Sequence, residues 1–279
     1  MRLIADGGST KTEWILLDGQ RVALRFKTVG FNPNYTDVGT IAAIISEAFS
    51  HDFPHPVDEI NYYGSGCGAP KNREVLKDIF LQRFPSAKVM VTHDLMAAAH
   101  ALFGAEKGIA CILGTGANSC LYDGNDIVEM GVSLGYLVGD EGSGTNIGKA
   151  VAKSYYYGFM PKDLRADFEA TYHLDLKDFV HRLYHQAQPN LFLSEFSKFA
   201  GEHKTHPFII ELVSDCFDDF IKAFVCRYDG YKSLKVSFVG SVAVHFQAIL
   251  KDCLQKHGIL LGTMAINPCD GLIRYYREN

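Results

Sequence analysis

Apolar positions come in short blocks separated by glycine-rich punctuation. Leu3-Ile4-Ala5 is followed by Asp6-Gly7-Gly8-Ser9-Thr10-Lys11-Thr12, then by Trp14 to Leu17, the dipeptide Asp18-Gly19, and Val22 to Leu24. Brief apolar runs bounded by turn residues predict strands rather than helices. Asp18-Gly19 predicts a tight hairpin, because glycine accepts positive φ without steric penalty. The same order returns from Ile109 to Met130: an apolar run, Gly114-Thr115-Gly116, a second run, Asp123-Gly124, and a third run. A recurring β-turn-β-turn-β module predicts two related α/β domains. The competing reading is two unrelated hairpins, since hairpins with glycine-rich turns are common.

Elsewhere the period changes. Helices are predicted over Ala42–Phe49, Asn72–Phe84, Leu95–Phe103, Gly148–Tyr157, Leu174–Gln186, Phe192–Gly201, Phe208–Tyr228 and Val242–His257. Further strands are predicted at Glu59–Tyr63, Val89–Thr92 and Val236–Val239. Apolar residues Ile209, Leu212, Val213, Phe217, Phe220 and Ile221 recur at helical spacing, which reads as core packing.

Composition narrows the function classes. The 279 residues carry a formal net charge of -5, so nucleic acid is not an expected partner. No basic run suits an anionic membrane, and no apolar stretch reaches the roughly 18 residues that span a bilayer. An acid at position 6 interrupts any apolar leader. Seven scattered cysteines without a C-x-x-C pair fit reduced thiols in the cytoplasm. The eleven histidines show no metal-ligand spacing.

Five segments could carry chemistry. In Asp6 to Thr12, two glycines let backbone approach a ligand, and successive N–H groups with hydroxyls can cradle phosphate. An acid beside such a cradle suits Mg²⁺, which takes few carboxylates plus phosphate oxygens; an ordinary hairpin with a turn aspartate is the alternative. Gly114-Thr115-Gly116 gains weight only from holding the equivalent place in the second copy. Asp94 stands at a helix start, so it reads equally as an N-cap or as a general base toward a hydroxyl. Asp140 and Glu141 lie in a glycine-rich loop, either as solvated turn acids or as groups fixing sugar hydroxyls. Gly240-Ser241 joins strand to helix, where a flat adenine or ribose could lie against backbone. Ser143 to Ala150 is a poor Walker A loop, without the leading glycine and the final Ser/Thr. Cys67 is either a reactive thiol or a small buried hydrophobe.

Taken together, Asp6 to Thr12, Asn32-Pro33-Asn34, Thr92-His93-Asp94, Leu113 to Ser119, Gly139 to Ser143 and Val239 to Val242 resemble the BadF/BadG/BcrA/BcrD-type ATPase family. Within it they resemble the N-acetylglucosamine kinase branch of the sugar kinase, Hsp70 and actin superfamily. The resemblance implies two actin-like (ribonuclease H-like) domains with mixed five-stranded sheets flanking a nucleotide and sugar cleft. The expected domains are residues 1–106 and 107–265, with a helix over about 266–279 packing back on the first. It implies Asp94 as catalytic base, and Asn32, Ser65, Thr115, Asn118 and Asp140 as substrate-binding. Asp6, Gly7, Gly8, Ser9, Thr10, Lys11, Gly114, Thr115 and Gly116 would hold ATP phosphates, with Gly240 and Ser241 near adenosine and Asp6 near Mg²⁺. Taken by itself, Lys11 reads as a solvated lysine. Leu134 stands where animal members have a tryptophan near the sugar.

The expected activity is ATP-dependent phosphorylation of an amino sugar, N-acetylglucosamine first among them. Two alternatives stay open: an ATPase activator with an iron-sulfur cluster, and a non-catalytic sugar sensor. The first resembles a pattern Asp-x-Gly-Gly-Gln-Asp where this chain has Gly64 to Pro70; the second usually carries a helix-turn-helix ahead of the first strand. The sequence also leaves a homodimer open.

Overall fold

The computed structural model describes residues 1–50, 53 and 55–278. The chain divides into two units: Met1–Gly104 with the segment from Pro268 onward, and Ala105–Asn267.

The first unit is built on strands β1 (Arg2–Gly7), β2 (Lys11–Asp18) and β3 (Arg21–Val29), helix α1 (Val38–Ala48), β4 (Glu59–Gly64), α2 (Pro70–Arg83), β5 (Lys88–His93) and α3 (Asp94–Phe103). Its sheet order is β3-β2-β1-β4-β5, antiparallel through the first three strands and parallel from β1 to β5. Alternate side chains of a strand leave opposite faces. Leu3, Ala5, Trp14 and Leu16 therefore join one core with Ile41, Ile45, Leu76 and Phe80 of α1 and α2. Ile4, Ile15 and Leu17 join the other with Ala97 of α3 and Leu272 and Ile273 of the C-terminal helix. By that alternation Asp6 and Glu13, paired across β1 and β2, belong to the α3 face.

The second unit contains β6 (Gly108–Leu113), β7 (Ala117–Tyr122), β8 (Ile127–Met130), α4 (Gly135–Val138), α5 (Gly144–Tyr156), α6 (Lys162–Tyr172), α7 (Leu176–His185), α8 (Pro189–Glu202), α9 (Pro207–Phe220), β9 (Lys235–Val239), α10 (Ser241–His245), α11 (Gln247–Lys256) and β10 (Leu260–Ala265). Helix α12 (Cys269–Glu278) follows and belongs to the first unit. The sheet order is β10-β9-β6-β7-β8, with β6, β7 and β8 antiparallel and β9 and β10 parallel additions. Both sheets thus share one topology, which makes the sequence repeat a structural one.

Several boundaries differ from expectation. Helix α1 begins four residues before Ala42 because the Asp37 carboxylate caps Thr40 N. The helix expected over Phe208–Tyr228 changes at Ile221 into a π turn, Ile221–Val225. The helix expected over Val242–His257 is broken at Phe246 into α10 and α11. Helix α6 was not expected, and the fifth strand implied for the second sheet, β10, was not located in the sequence. Only Leu164 and Phe168 of α6 are buried, and β10 has no alternation to reveal it.

Candidate functional site

In the first unit the end of β1 organises the site. The sequence placed Asp6 in a surface turn; instead Asp6 and Gly7 complete β1, and Asp6 is half-buried. Only Gly8, Ser9 and Thr10 form the turn. Gly8 N donates to Lys11 O at 2.9 Å, and Gly30 N donates to Thr10 O at 2.9 Å. A Cβ on Gly30 would lie 2.1 Å from Gly8 O and 2.4 Å from Lys11 N, so only glycine lets the end of β3 close on this turn. Asn32 follows, and its Nδ2 donates to Ser9 Oγ at 3.3 Å. Ser9 and Thr10 are exposed at the tip, where successive N–H groups of such a turn can cradle an anion.

Ser65 joins this turn to Asp94. Its N–H donates to Gly7 O at 2.8 Å and its hydroxyl to Asp94 Oδ2 at 3.3 Å. Asp94 itself is not the N-cap. His93 caps α3 in extended backbone, and Asp94 is the first helical residue, with Oδ1 accepting from Leu95 N at 3.0 Å. A carboxylate there is favoured by the helix dipole.

The charge balance around Asp6 is unusual. Its carboxyl is pushed up from 3.8 to about 7, first by burial, then by the charges of Asp94 and Glu13, with Lys11 opposing. Glu13, whose side chain is 8% exposed, is held by Arg25 Nε at 2.5 Å and Lys27 Nζ at 3.7 Å. Arg25 also reaches Asp270 of α12 at 2.9 Å. Burial and the Asp94 and Glu13 charges together disfavour the charged form of Asp6, a penalty that a bound divalent cation would relieve. No group of three or more His, Cys, Asp and Glu side chains comes together as a metal site among the described residues. A single carboxylate beside a phosphate-type turn is a donor set that Mg²⁺ would accept, since that ion takes few carboxylates. Cys67 is buried, and burial with the Asp94 charge pushes its thiol up to about 12, so it is no reactive thiolate.

In the second unit the equivalent turn is closed by Gly114 N donating to Gly116 O at 3.0 Å. Helix α5 locks it: Gly144 N donates to Gly114 O at 2.8 Å, and Thr145 Oγ1 donates to Thr115 O at 2.7 Å. Gly240 packs beside the same turn, where a Cβ would stand 2.1 Å from Leu113 O. Ser241, the first residue of α10, is exposed beside it. Asp140 adopts φ 59° and its Oδ1 accepts from Ala117 N at 3.3 Å. Burial raises its carboxyl above the ordinary value. Asn118 Oδ1 accepts from Ser119 N at 2.8 Å. The residues expected from sequence thus form two groups: Asp6 to Lys11 with Asn32, Ser65 and Asp94, and Gly114 to Gly116 with Asn118, Asp140, Gly240 and Ser241.

No protein-family model and no curated protein matches the chain. Among solved structures, a putative N-acetylglucosamine kinase from Porphyromonas gingivalis is 37% identical, with a TM-score of 0.94 over 100% of this chain and 99% of its own. The chain belongs to the N-acetylglucosamine kinase-like family. Its fold is the two-domain actin-like architecture of the sugar kinases. Two more distant structures bear out the fold alone. A putative N-acetylglucosamine kinase from Chromobacterium violaceum is 15% identical with a TM-score of 0.77, covering 98% of both chains. A putative N-acetylmannosamine kinase from Listeria monocytogenes is 14% identical with a TM-score of 0.58, covering 100% of this chain and 99% of its own.

Three residues of this kinase-like site escaped sequence reasoning: Gly30, Glu13 and Arg25. Gly30 is one residue past an exposed strand and carries no local signal. Glu13 did carry one, as the acid directly ahead of the apolar run Trp14 to Leu17, with Arg25 on the strand that pairs with its own.

Proposed function

We propose that the protein transfers the γ-phosphoryl group of ATP to a hydroxyl of an amino sugar, N-acetylglucosamine at its 6-hydroxyl, in the cytoplasm. The observation that carries this reading is the linked set Gly7–Ser65–Asp94. One hydrogen-bonded path joins a phosphate-type turn to a carboxylate held at a helix start. Asp94 takes the proton from the attacking hydroxyl, with Ser65 fixing its second oxygen and Leu95 N its first. Asn32 with Ser65, and Thr115, Asn118 and Asp140 on the second unit, hold the sugar's hydroxyls and N-acetyl group. Gly8 to Lys11 and Gly114 to Gly116 receive the phosphates, and Gly240 with Ser241 borders adenosine. Asp6 holds Mg²⁺, which when bound offsets charge on the phosphate oxygens. Positioning and charge stabilisation then supply most of the catalysis, as phosphoryl transfer requires.

An ADP-release assay over N-acetylglucosamine, glucosamine, N-acetylmannosamine, N-acetylmuramic acid and glucose tests the reading. Fastest turnover with N-acetylglucosamine is expected. Turnover with none would overturn the kinase assignment and favour a sugar sensor.

A further inference from the structure

The π turn Ile221–Val225 is a wider turn inserted at the end of α9, with Cys226 N donating to Ile221 O at 2.9 Å, five residues back. Such turns are uncommon and concentrate at functional sites. Here the turn lies against the loop that presents Asp140. Phe220 and Phe224 stack at 5.3 Å, one at each side of that loop's two ends. A Cβ on Gly131 would lie 2.7 Å from Phe224 Cδ1, and one on Gly142 would lie 2.8 Å from Phe220 Cβ. The two rings therefore fill the space that two glycines leave open. The same hypothetical Gly131 Cβ would lie 2.7 Å from Asn118 Oδ1, so Asn118 sits on the same seat.

A buried hydrogen-bond chain fixes the turn to β7. Ser119 Oγ donates to Phe224 O at 2.6 Å and accepts from Tyr228 OH at 2.8 Å. Both side chains are almost fully buried. Ser119 follows Asn118 directly and also supplies the N–H that orients it. One element thus packs beside both polar groups assigned to the sugar, against Gly131 and Gly142 at the ends of the Asp140 loop and through Ser119 next to Asn118.

We infer that the π turn is the positioning element for acceptor binding, with Phe224, Ser119 and Tyr228 as positioning residues that act through Asn118 and the Asp140 loop. This rests on the sugar-binding reading of those two residues. Shifting the seat lets the loop relax, so acceptor affinity falls while the nucleotide turn Gly114–Gly116, locked separately by α5, keeps its geometry.

The experiment compares Phe224→Leu, Tyr228→Phe and deletion of the exposed Ala223, which removes the extra residue of the turn. The control is Phe168→Leu, a buried ring of α6 in the same core that packs on Tyr155, Phe196 and Phe199. The sugar KM and calorimetric Kd for N-acetylglucosamine should rise about 10-fold in the three variants, with the ATP KM within about 2-fold of wild type. Phe168→Leu should lower Tm without moving either. Amide hydrogen exchange over residues 132–140 should quicken in Phe224→Leu and Tyr228→Phe and not in Phe168→Leu. Equal sugar affinities across variants and control, in a wild type that binds the sugar, overturn the inference alone. A wild type that binds no amino sugar overturns the proposed function, and the exchange pattern then decides: unchanged exchange over the loop overturns the positioning role too. Should the Ala223 deletion not fold, the two point variants carry the decision.

Discussion

Asparagine at position 94 separates proton transfer from architecture. In the structure the Asp94 carboxylate makes two contacts, accepting from Leu95 N at 3.0 Å and from Ser65 Oγ at 3.3 Å. An amide keeps both: its oxygen accepts from Leu95 N, and its nitrogen donates to Ser65 Oγ, which can accept as readily as donate. What is lost is charge. At the first position of α3 a carboxylate contributes about 0.3–1 kcal/mol through the helix dipole. That loss is offset in part, because the Asp94 charge is one of the two that push Asp6 upward. The net change in stability should stay within about 1 kcal/mol, or a Tm shift under about 4 °C. The amide accepts no proton from a hydroxyl, so general-base assistance of about 10²–10⁴-fold should vanish from kcat. Steady-state kinetics at saturating sugar and ATP, with a melting curve on the same sample, read both. A variant that keeps more than about a tenth of wild-type kcat refutes the base assignment, and Asp140 becomes the next candidate. A large drop in Tm would instead show that the contacts, not the proton, matter.

Other outcomes follow from the same geometry. Asp6, raised from 3.8 to about 7, is protonated in the folded chain where the unfolded chain is ionised; the stability this contributes is full below 3.8 and lost as pH rises to about 7. Asp6→Asn should therefore gain on wild type from about pH 4 to about pH 7 and hold that gain above, whereas a melting difference constant across that range would show Asp6 unperturbed. Gly30→Ala drives a methyl into Gly8 O and Lys11 N, so the ATP KM should rise by about 10-fold or more in a protein that still folds; an unchanged ATP KM removes the turn from nucleotide binding. Arg25→Ala leaves Glu13 with Lys27 at 3.7 Å as its remaining ion-pair partner among the described residues and should destabilise by about 1–3 kcal/mol, much of it recovered when Glu13→Gln is added; denaturant titration of both variants measures this, and no recovery would mean that Arg25 acts through packing.

Strands and their punctuation were legible because their signals are local. Asp18-Gly19 and Asp123-Gly124 dictate tight reversals, and apolar runs on either side have one way to pair across a short hairpin. Both three-stranded meanders stand where the pattern put them, and the repetition of one module foretold two sheets of the same order. The apolar stripe of α9 was readable for the same reason. Strand β10 was not, because its pairing is parallel to β9 and is made across two intervening helices. The π turn was equally hidden: the spacing of Phe217, Phe220, Ile221 and Phe224 suits a continuous helix, and only the structure shows the turn, with Phe220 and Phe224 against Gly142 and Gly131.

By itself the sequence determined which residue types stand at each strand end: the glycines and hydroxyls after β1, the acid at the start of α3, the glycine after β9. It could not say whether Asp94 caps its helix or opens it, since one residue of register separates the two and both tolerate aspartate. It placed Asp6 in a turn, where a lone acid is solvated and ordinary. Strand alternation, fixed only when β1 pairs with β2 and α3 covers one face, turns Asp6 inward beside Glu13 and Asp94 and pushes its carboxyl up from 3.8 to about 7. Charge on a carboxyl depends on what surrounds it within a few ångströms, and those neighbours lie 7 and 88 residues away along the chain. Local propensity chose the parts. Which of them share one patch of low dielectric was decided by the fold.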